Sequence, residues 1–499
     1  MKKLLGILIL ALTLLGPAAC SGPTDALTEE IRDIAADPEL QSEEGLQRLT
    51  DIILSDKATY RGYILPDGEI NMEKLAATVE KTGRQADPNF SWDIRAYGGI
   101  LSSDLKLNLF LERSGSMQGY DTRSGSGNFK ATLTELVNRF PLVDGSTGRI
   151  LIVNDAIYPW KGDFKRFLQE RDIFSATAGI GDASFTDFAR IFEYVLTDSV
   201  AENVNVLVTD MIYSPRGAEG VSAPKILAEE RSIASSLFRD HADKSVIIVK
   251  MSSDFNGAYY PYSSPSAGVK YSGQRPYYII VTGSAAAMHR LRTDSRYASW
   301  RDFSSLPGYQ ADYFFNRRPL TLPYYTLLPR NRASKGSFTL SADDNGSDTR
   351  AMKDVRGDAS GNLTFQIAAD LSRIPAADAY LTDTRNYTLS GADAKLLSVK
   401  KITTADIDPR NKRFLEKATH LFTVSVDTHH PSSELKISLA NRLPDWVKKS
   451  HSTDDRNVAG ARFATTTFGI ADFMEGIFEA YHGTALQPEF FSMRILFKN

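Results

Sequence analysis

The chain has 499 residues, of which 24% are charged and 42% hydrophobic. These fractions are typical of soluble globular proteins, and they exclude a wholly disordered chain or a membrane protein with many spans. The 58 basic and 61 acidic side chains nearly balance, so charge gives no argument for nucleic-acid binding. One cysteine rules out an internal disulfide framework, and with seven histidines it argues against a zinc site of His and Cys ligands.

The first twenty residues have the pattern of a secretory signal. Two lysines precede an apolar run over 4–15, which is shorter than the roughly 20 residues needed to span a bilayer. Small residues then lead to Cys20, and this end resembles a bacterial lipobox. The resemblance implies a signal peptide over 1–19, lipidation of Cys20 and anchoring to a membrane by acyl chains. A cleaved signal with an incidental cysteine is the alternative.

Residues 20–100 are predicted to form an N-terminal helical arm. The apolar spacing favours a first helix after Asp25, a second over 43–55 and a third over 71–82. The sequence YRGYIL, at 60–65, is interpreted as a short strand between the last two helices.

Strand-like and helical patterns alternate from 101 to 315. Strands are predicted at 105–111, 149–154, 205–209, 245–251 and 277–281, and helices over 129–140, 188–195, 222–242 and 285–292, with Ser184 as a candidate helix cap. The alternation predicts an α/β domain with a doubly wound, mainly parallel sheet that helices cover on both faces. Ligands of such sheets bind beyond the carboxyl ends of the strands.

The helical pattern fades over 316–460. Strands at 337–341, 362–369, 394–402, 420–427 and 435–440 predict a β-rich, sandwich-like domain. His429 and His430 precede a proline, so we interpret them as part of a surface turn rather than as metal ligands. The segment 461–499 is expected to add a C-terminal helix and strand.

Oxygen-bearing side chains gather where two predicted strands end. Glu112, Ser114 and Ser116 alternate just past the first strand of the α/β domain. Asp210 ends the third strand, and Thr186 lies in the loop that opens the helix before it. Carboxylates and hydroxyls are hard ligands that suit Mg²⁺ or Mn²⁺. We therefore expect these five side chains to converge on one divalent cation.

This constellation resembles the metal-ion-dependent adhesion site of von Willebrand factor A-type domains. The sequence ERSGSM corresponds to the family's D-x-S-x-S motif, and Thr186 and Asp210 correspond to its threonine and second aspartate. The resemblance covers about 104–300. It implies that a cation, Mg²⁺ or Mn²⁺, recruits an acidic side chain of a partner protein.

Two positions depart from the family pattern. Glu112 stands where the family has Asp, and Met211 follows the second aspartate where Gly is common. The longer Glu112 side chain either binds the ion directly or crowds it out. The alternative is a metal-free domain in which Ser114 and Ser116 only form hydrogen bonds within a turn.

Tyrosines beside the predicted site favour a protein-binding rim. Three of them lie in a segment rich in Ser and Gly after the strand 245–251, a composition typical of protein-binding surfaces. The predicted rim residues are Tyr120, Tyr213, Arg216, Tyr259, Tyr260 and Tyr262. Tyrosines that pack on the protein itself are the alternative.

These observations predict a lipoprotein of the bacterial cell envelope that binds a protein partner in adhesion or assembly and is not an enzyme. Ser21 after Cys20 favours the outer membrane in Gram-negative sorting. One alternative is a metal-dependent phosphoesterase, to which Asp155, Asp182 and Asp187 add carboxylates. Another is a structural subunit of an envelope complex with a vestigial metal site.

Overall fold

The computed structural model describes residues 25–498 apart from the short stretches 67–69, 98–103, 123–124, 142–147, 214–216, 342–348, 408–409 and 484–487 and the single residues 185, 199, 201, 218, 243, 265, 318 and 431. The predicted signal peptide over 1–19, Cys20 and Arg216 therefore lie outside the described residues. Within the described ranges, no helix combines the length and the apolar character needed to cross a bilayer.

Three helices form the N-terminal arm, as the sequence predicts. They are α1 (Ala26–Ala36), α2 (Glu43–Ser55) and α3 (Met72–Ala86). Their apolar faces meet in one core, which buries Ile31, Leu49 and Val79. The strand predicted at 60–65 is wrong, because Arg61–Tyr63 forms a 3₁₀ turn, and the described part of this segment forms a single isolated bridge, from Ile64 to Ile70.

A seven-stranded sheet forms the α/β unit, with the strands in the order β3-β2-β1-β4-β6-β5-β7. The strands are β1 (Lys106–Glu112), β2 (Arg149–Val153), β3 (Ile157–Pro159), β4 (Asn203–Thr209), β5 (Ser245–Tyr259), β6 (Val269–Gly283) and β7 (Tyr309–Phe315). The helices are α4 (Asn128–Asn138), α5 (Phe164–Gln169), α6 (Ile173–Ala176), α7 (Phe188–Thr197), α8 (Ala223–Asp240), α9 (Ala285–Thr293) and α10 (Ala298–Arg301).

The sheet is mixed, so the prediction of a mainly parallel sheet is wrong. β1 pairs in parallel with β2 and β4, whereas every other neighbouring pair is antiparallel. A parallel pair needs a long crossover, but the chain after residue 251 stays extended and turns straight back from β5 into β6. The parallel half of the sheet is the half that carries the predicted site.

Both faces of this sheet are covered, because its strands are apolar on both sides. In β1, Phe110 packs toward α7 and α8 with Phe192 and Phe238, whereas Leu111 packs toward α4 with Leu133.

Two further sheets face each other in the C-terminal half, a five-stranded one in the order β12-β15-β18-β10-β9 and a four-stranded one in the order β13-β14-β11-β8. The strands of these two sheets are β8 (Tyr325–Leu327), β9 (Ser337–Leu340), β10 (Ala351–Arg356), β11 (Asn362–Ala369), β12 (Tyr387–Ser390), β13 (Ala394–Lys401), β14 (His420–Asp427), β15 (Glu434–Ala440) and β18 (Glu489–Phe497). Two short strands, β16 (His451–Ser452) and β17 (Thr467–Phe468), pair with each other in a separate two-stranded sheet. The helices are α11 (Asp378–Leu381), α12 (Lys412–Leu415), α13 (Asp445–Ser450) and α14 (Ile470–His482). The inner faces share one core that buries Phe365, Val424 and Met493, so all five strands predicted here are confirmed.

The predicted C-terminal segment 461–499 is divided between the two units. β18 lies between β15 and β10 in the five-stranded sheet. α14 packs on α8 of the α/β unit, and Arg231 of α8 pairs with Glu475 and Glu479 of α14. Gly476 allows this close approach, because a Cβ there would lie 2.5 Å from the carbonyl oxygen of Arg231.

Candidate functional site

Glu112 is the last residue of β1, and its side chain is 2% exposed. The Thr186 hydroxyl donates to Glu112 Oε1 at 2.8 Å, and the Thr209 hydroxyl donates to Oε2. Thr209 ends the neighbouring parallel strand β4, and the sequence analysis did not include it. The sequence feature that points to Thr209 is its position directly before Asp210, at the end of the same predicted strand.

The two serines of the ERSGSM sequence lie side by side in the turn after β1. Ser114 Oγ and Ser116 Oγ are 3.0 Å apart, and both residues are 8% exposed. The Met117 backbone N–H donates to Ser114 Oγ at 3.3 Å. These two hydrogen bonds stabilise the turn, as expected for the metal-free alternative. The same turn places the serine hydroxyls beside Glu112.

Thr186 reaches the site because its loop is bonded to the strand ends. The Gly115 N–H donates to the carbonyl of Ala183 at 3.0 Å, and the Asp187 N–H donates to the carbonyl of Asn154 at 3.1 Å. Asp187 rather than the predicted Ser184 caps α7, since its side chain accepts from the Arg190 N–H.

Asp210 follows β4 and is 1% exposed. Its Oδ1 accepts from the Ile212 N–H at 3.2 Å, whereas its buried Oδ2 has no hydrogen-bond partner among the described residues. Met211 has a φ of 56°, the left-handed backbone that glycine adopts without strain. The chain therefore keeps the backbone shape of a glycine at this position, although it carries methionine there.

The two carboxyl groups of the site perturb each other. Burial, together with the charge of Asp210, raises the pKa of Glu112 to about 8. Burial also raises the pKa of Asp210, an effect that the Ser116 hydroxyl and the more distant charge of Arg275 oppose. Two buried carboxyl groups within range of each other's charge are stabilised by a proton or a cation.

An open pocket with an empty volume of about 910 Å³ leads to these groups. Its walls are formed by Glu112, Ser114, Gly115, Ser116, Ala183, Ser184, Thr186, Ile212, Tyr260 and Ser266. Four of the five predicted ligands line it directly, and Asp210 is buried next to its wall residue Ile212. None of the described residues that line the pocket is basic.

The arrangement fits a hard divalent cation. Glu112 and Asp210 offer carboxylate oxygens, and Ser114, Ser116 and Thr186 offer hydroxyls, which is the donor set that Mg²⁺ and Mn²⁺ prefer. Among the described residues, none forms a hydrogen bond with the buried Oδ2 of Asp210, so this oxygen is available to bind a cation.

Three residues of the predicted rim are buried, so the expectation that they form an exposed surface is wrong. Tyr120 donates to the carbonyl of Pro276, Tyr259 donates to Asp455, and Tyr262 stacks on Phe468. Each ring fills space inside the protein, because the 245–283 segment is a packed hairpin rather than a loop.

The other two rim residues that the structure describes differ in position. Tyr213 is half-buried and donates to Glu229 at 2.9 Å. Tyr260 lines the pocket itself. Of the rim predicted from the sequence, Tyr260 alone among the described residues adjoins the site's hydroxyl and carboxylate groups.

The carboxylates that a phosphoesterase would add do not line the pocket. Asp155 accepts from the Asp182 N–H, Asp182 accepts from Ser184, and Asp187 caps α7. Each of them stabilises a turn of the chain near the pocket.

A second acidic group lies far along the chain, in the turn after β14. Ligand atoms of Asp393, Asp427 and His430 lie within 4.8 Å of one another. The structure places His429 and His430 in an exposed turn, as predicted. Asp427 is already bonded to the backbone N–H and the ring of His429. Such exposed acidic groups are common without an ion, and this one is no evidence for a metal.

Comparisons of the chain with protein-family models, curated protein sequences and solved structures find no match. The function is therefore inferred from the geometry and chemistry of the site itself.

Proposed function

We propose that the protein binds a partner protein through a divalent cation, Mg²⁺ or Mn²⁺, held by Glu112, Ser114, Ser116, Thr186 and Asp210. A bound cation would supply positive charge and an open coordination position for an acidic side chain of the partner. The role is adhesion or assembly rather than turnover, in keeping with the resemblance to von Willebrand factor A-type adhesion sites.

One observation carries this proposal: Glu112 and Asp210 are two buried carboxyl groups whose charges interact, Glu112 lines an open pocket, and Asp210 Oδ2 has no hydrogen-bond partner among the described residues. Leaving a buried acceptor unsatisfied is costly, so such atoms usually have a function. Three hydroxyls around the same point complete a set of oxygen donors.

The chemistry of the pocket walls favours binding over hydrolysis. Phosphoryl transfer relies on basic side chains or several metal ions to hold the transferred group, and none of the described residues that line the pocket is Lys, Arg or His. Tyr260, Ile212 and Ala183 give the pocket apolar surface instead.

The N-terminal sequence supports a place in the bacterial envelope. Its basic start, short apolar run and Cys20 fit lipidation and anchoring to a membrane. Ser21 after Cys20 favours the outer membrane. Mass spectrometry of the N-terminal peptide from a bacterial membrane fraction tests this part, since acylation adds a defined mass to Cys20.

Calorimetric titration with MnCl₂ tests the cation site. We expect the full-length protein to bind one equivalent and the Asp210→Asn variant to bind at least about 100-fold more weakly, because a buried ligand loses its charge. Asp254→Asn is the matched control, since this residue lies on the β5–β6 hairpin and does not line the pocket.

Unchanged manganese affinity in Asp210→Asn would contradict the proposed ligand set. Phosphoester hydrolysis that Asp210→Asn abolishes would favour the phosphoesterase. No binding to the unaltered protein would favour the structural subunit with a vestigial site.

A further inference from the structure

Tyr260 provides a hydroxyl group that the protein itself does not use. The other hydroxyls of the pocket lining already bond to protein groups. Ser114 bonds to Ser116, Ser184 to Asp182, Thr186 to Glu112, and Ser266 to Glu219. Among the described residues, none forms a hydrogen bond with the Tyr260 phenol, although its ring lies in the pocket wall.

Two glycines, Gly115 and Gly268, leave the space that the Tyr260 ring occupies. A Cβ at Gly115 would lie 2.9 Å from the ring and 3.4 Å from its hydroxyl oxygen, and a Cβ at Gly268 would lie 3.0 Å from the ring. Gly115 belongs to the ERSGSM turn, so the phenol oxygen is close to the serines of the site. The two glycines leave a slot that the ring fills.

The backbone on either side of Tyr260 is also anchored. Asp455 accepts from the Tyr259 hydroxyl at 2.7 Å and from the Tyr262 N–H at 3.2 Å with the same oxygen. The Tyr262 ring stacks on Phe468, with the ring centroids 4.2 Å apart. Asp455 and Phe468 both lie in the segment 451–468, which we call the strap. The strap thus fixes the hairpin tip that carries Tyr260.

A carboxylate that binds a cation through one oxygen leaves its other oxygen in need of a donor. We infer that the Tyr260 hydroxyl donates a hydrogen bond to that second oxygen of the partner's acidic side chain. Asp455 and Phe468 act as positioning residues, because they hold Tyr260 without touching the ligand. This inference rests on the proposed function, since it presupposes a cation-bound carboxylate in the pocket.

The test uses the full-length protein loaded with Mn²⁺ and, as probe, aspartate blocked as its N-acetyl N-methylamide. Binding of the probe is followed by the loss of manganese-bound water in proton relaxation. The Tyr260→Phe variant keeps the ring and removes the hydroxyl. We expect it to bind Mn²⁺ as the unaltered protein does and the probe roughly tenfold more weakly, as for loss of one hydrogen bond to a charged acceptor.

Tyr271→Phe is the matched control, because its hydroxyl lies in the same hairpin and donates to the carbonyl of Gln274. It should leave both affinities unchanged. Equal probe affinity in Tyr260→Phe and Tyr271→Phe, with Mn²⁺ bound in each, would overturn this inference and leave the cation site standing. Failure of the unaltered protein to bind Mn²⁺ would instead overturn the proposed function.

Discussion

The molecule collects acidic side chains in two very different settings. Glu112 and Asp210 are buried at the ends of adjacent parallel strands, and burial raises the pKa of both. Asp427 lies in an exposed turn with Asp393 and His430, and hydrogen bonds from His429 hold its pKa below the usual range. A positive charge would stabilise the buried pair, whereas the Asp427 carboxylate is already stabilised by its hydrogen bonds from His429.

The difference shows that closeness of ligand-type atoms is a weak criterion for a metal site. The exposed group satisfies a purely geometric rule, since its ligand atoms lie within 4.8 Å of one another. The buried pair adds an energetic condition, because water screens its charges poorly and none of the described residues donates a hydrogen bond to Asp210 Oδ2. The predictions below test whether this second condition decides where a cation binds.

The largest expected effect is stabilisation by the cation. With MnCl₂ at 100 times its dissociation constant, the free energy of unfolding should rise by about 2.7 kcal/mol, because the ion binds only the folded state. The double variant Glu112→Gln with Asp210→Asn should show no such rise in urea denaturation. If manganese stabilised the double variant equally, the buried pair would not be the site.

A smaller effect is expected at Glu230, a buried carboxyl on α8. Burial and the charge of Asp472 raise its pKa well above the usual value, and no described residue forms a hydrogen bond with its Oε2. Because the folded pKa lies above the unfolded value, the contribution of Glu230 to stability is full below about pH 4.5 and is lost as the pH rises.

We therefore expect Glu230→Gln to increase the free energy of unfolding by about 2 kcal/mol at pH 8 and to change it little at pH 4. Urea denaturation at both pH values measures this. Glu229→Gln is the control on the same helix. Equal effects of Glu230→Gln at the two pH values would mean that Glu230 is not a buried acid that holds its proton.

Thr209→Val should have an effect of about 1 kcal/mol on the free energy of unfolding, since it removes the hydroxyl that donates to Glu112 and keeps the side-chain shape. Manganese affinity should also fall roughly tenfold, as for loss of a group that orients a ligand. Thr282→Val is a control at a buried threonine on β6, away from the pocket. Identical manganese affinity in both variants would contradict a role for Thr209.

The smallest effect is expected at the exposed group. Asp427→Asn should change neither the manganese affinity nor the unfolding temperature measurably, because its carboxylate is screened by water. A drop in manganese stoichiometry on this substitution would reverse the comparison between the two acidic groups.

The sequence predicted the part of the site that depends on strand ends. Apolar runs located β1 and β4, and the rule that parallel strands end at one edge brought Glu112 and Asp210 together. The predicted strand and helix boundaries are sufficient to locate these side chains, because each of them lies at the end of a strand or in the turn or loop next to a strand or helix.

The β5–β6 hairpin was not predictable in the same way. The extension SSDFNGAYY mixes small, polar and aromatic residues, so it has the composition of a loop and the structure of a strand. Tyr259 is buried because Asp455 accepts its hydrogen bond, and these residues are 196 positions apart. The local sequence pattern carries no information on a contact at that distance. It therefore predicts an exposed rim where the tyrosines pack inside the protein.

The return of the chain's last part to the α/β unit bears on how the protein is made. Helix α14 covers α8, and the strap supplies the acceptors for Tyr259 and for Arg275, which donates to the carbonyl of Thr466. During synthesis, about 150 residues beyond the seven-stranded sheet must be made before α14 and the strap can pack against it. An excised fragment covering 101–315 would lack both, so laboratory production of the pocket calls for the uninterrupted polypeptide.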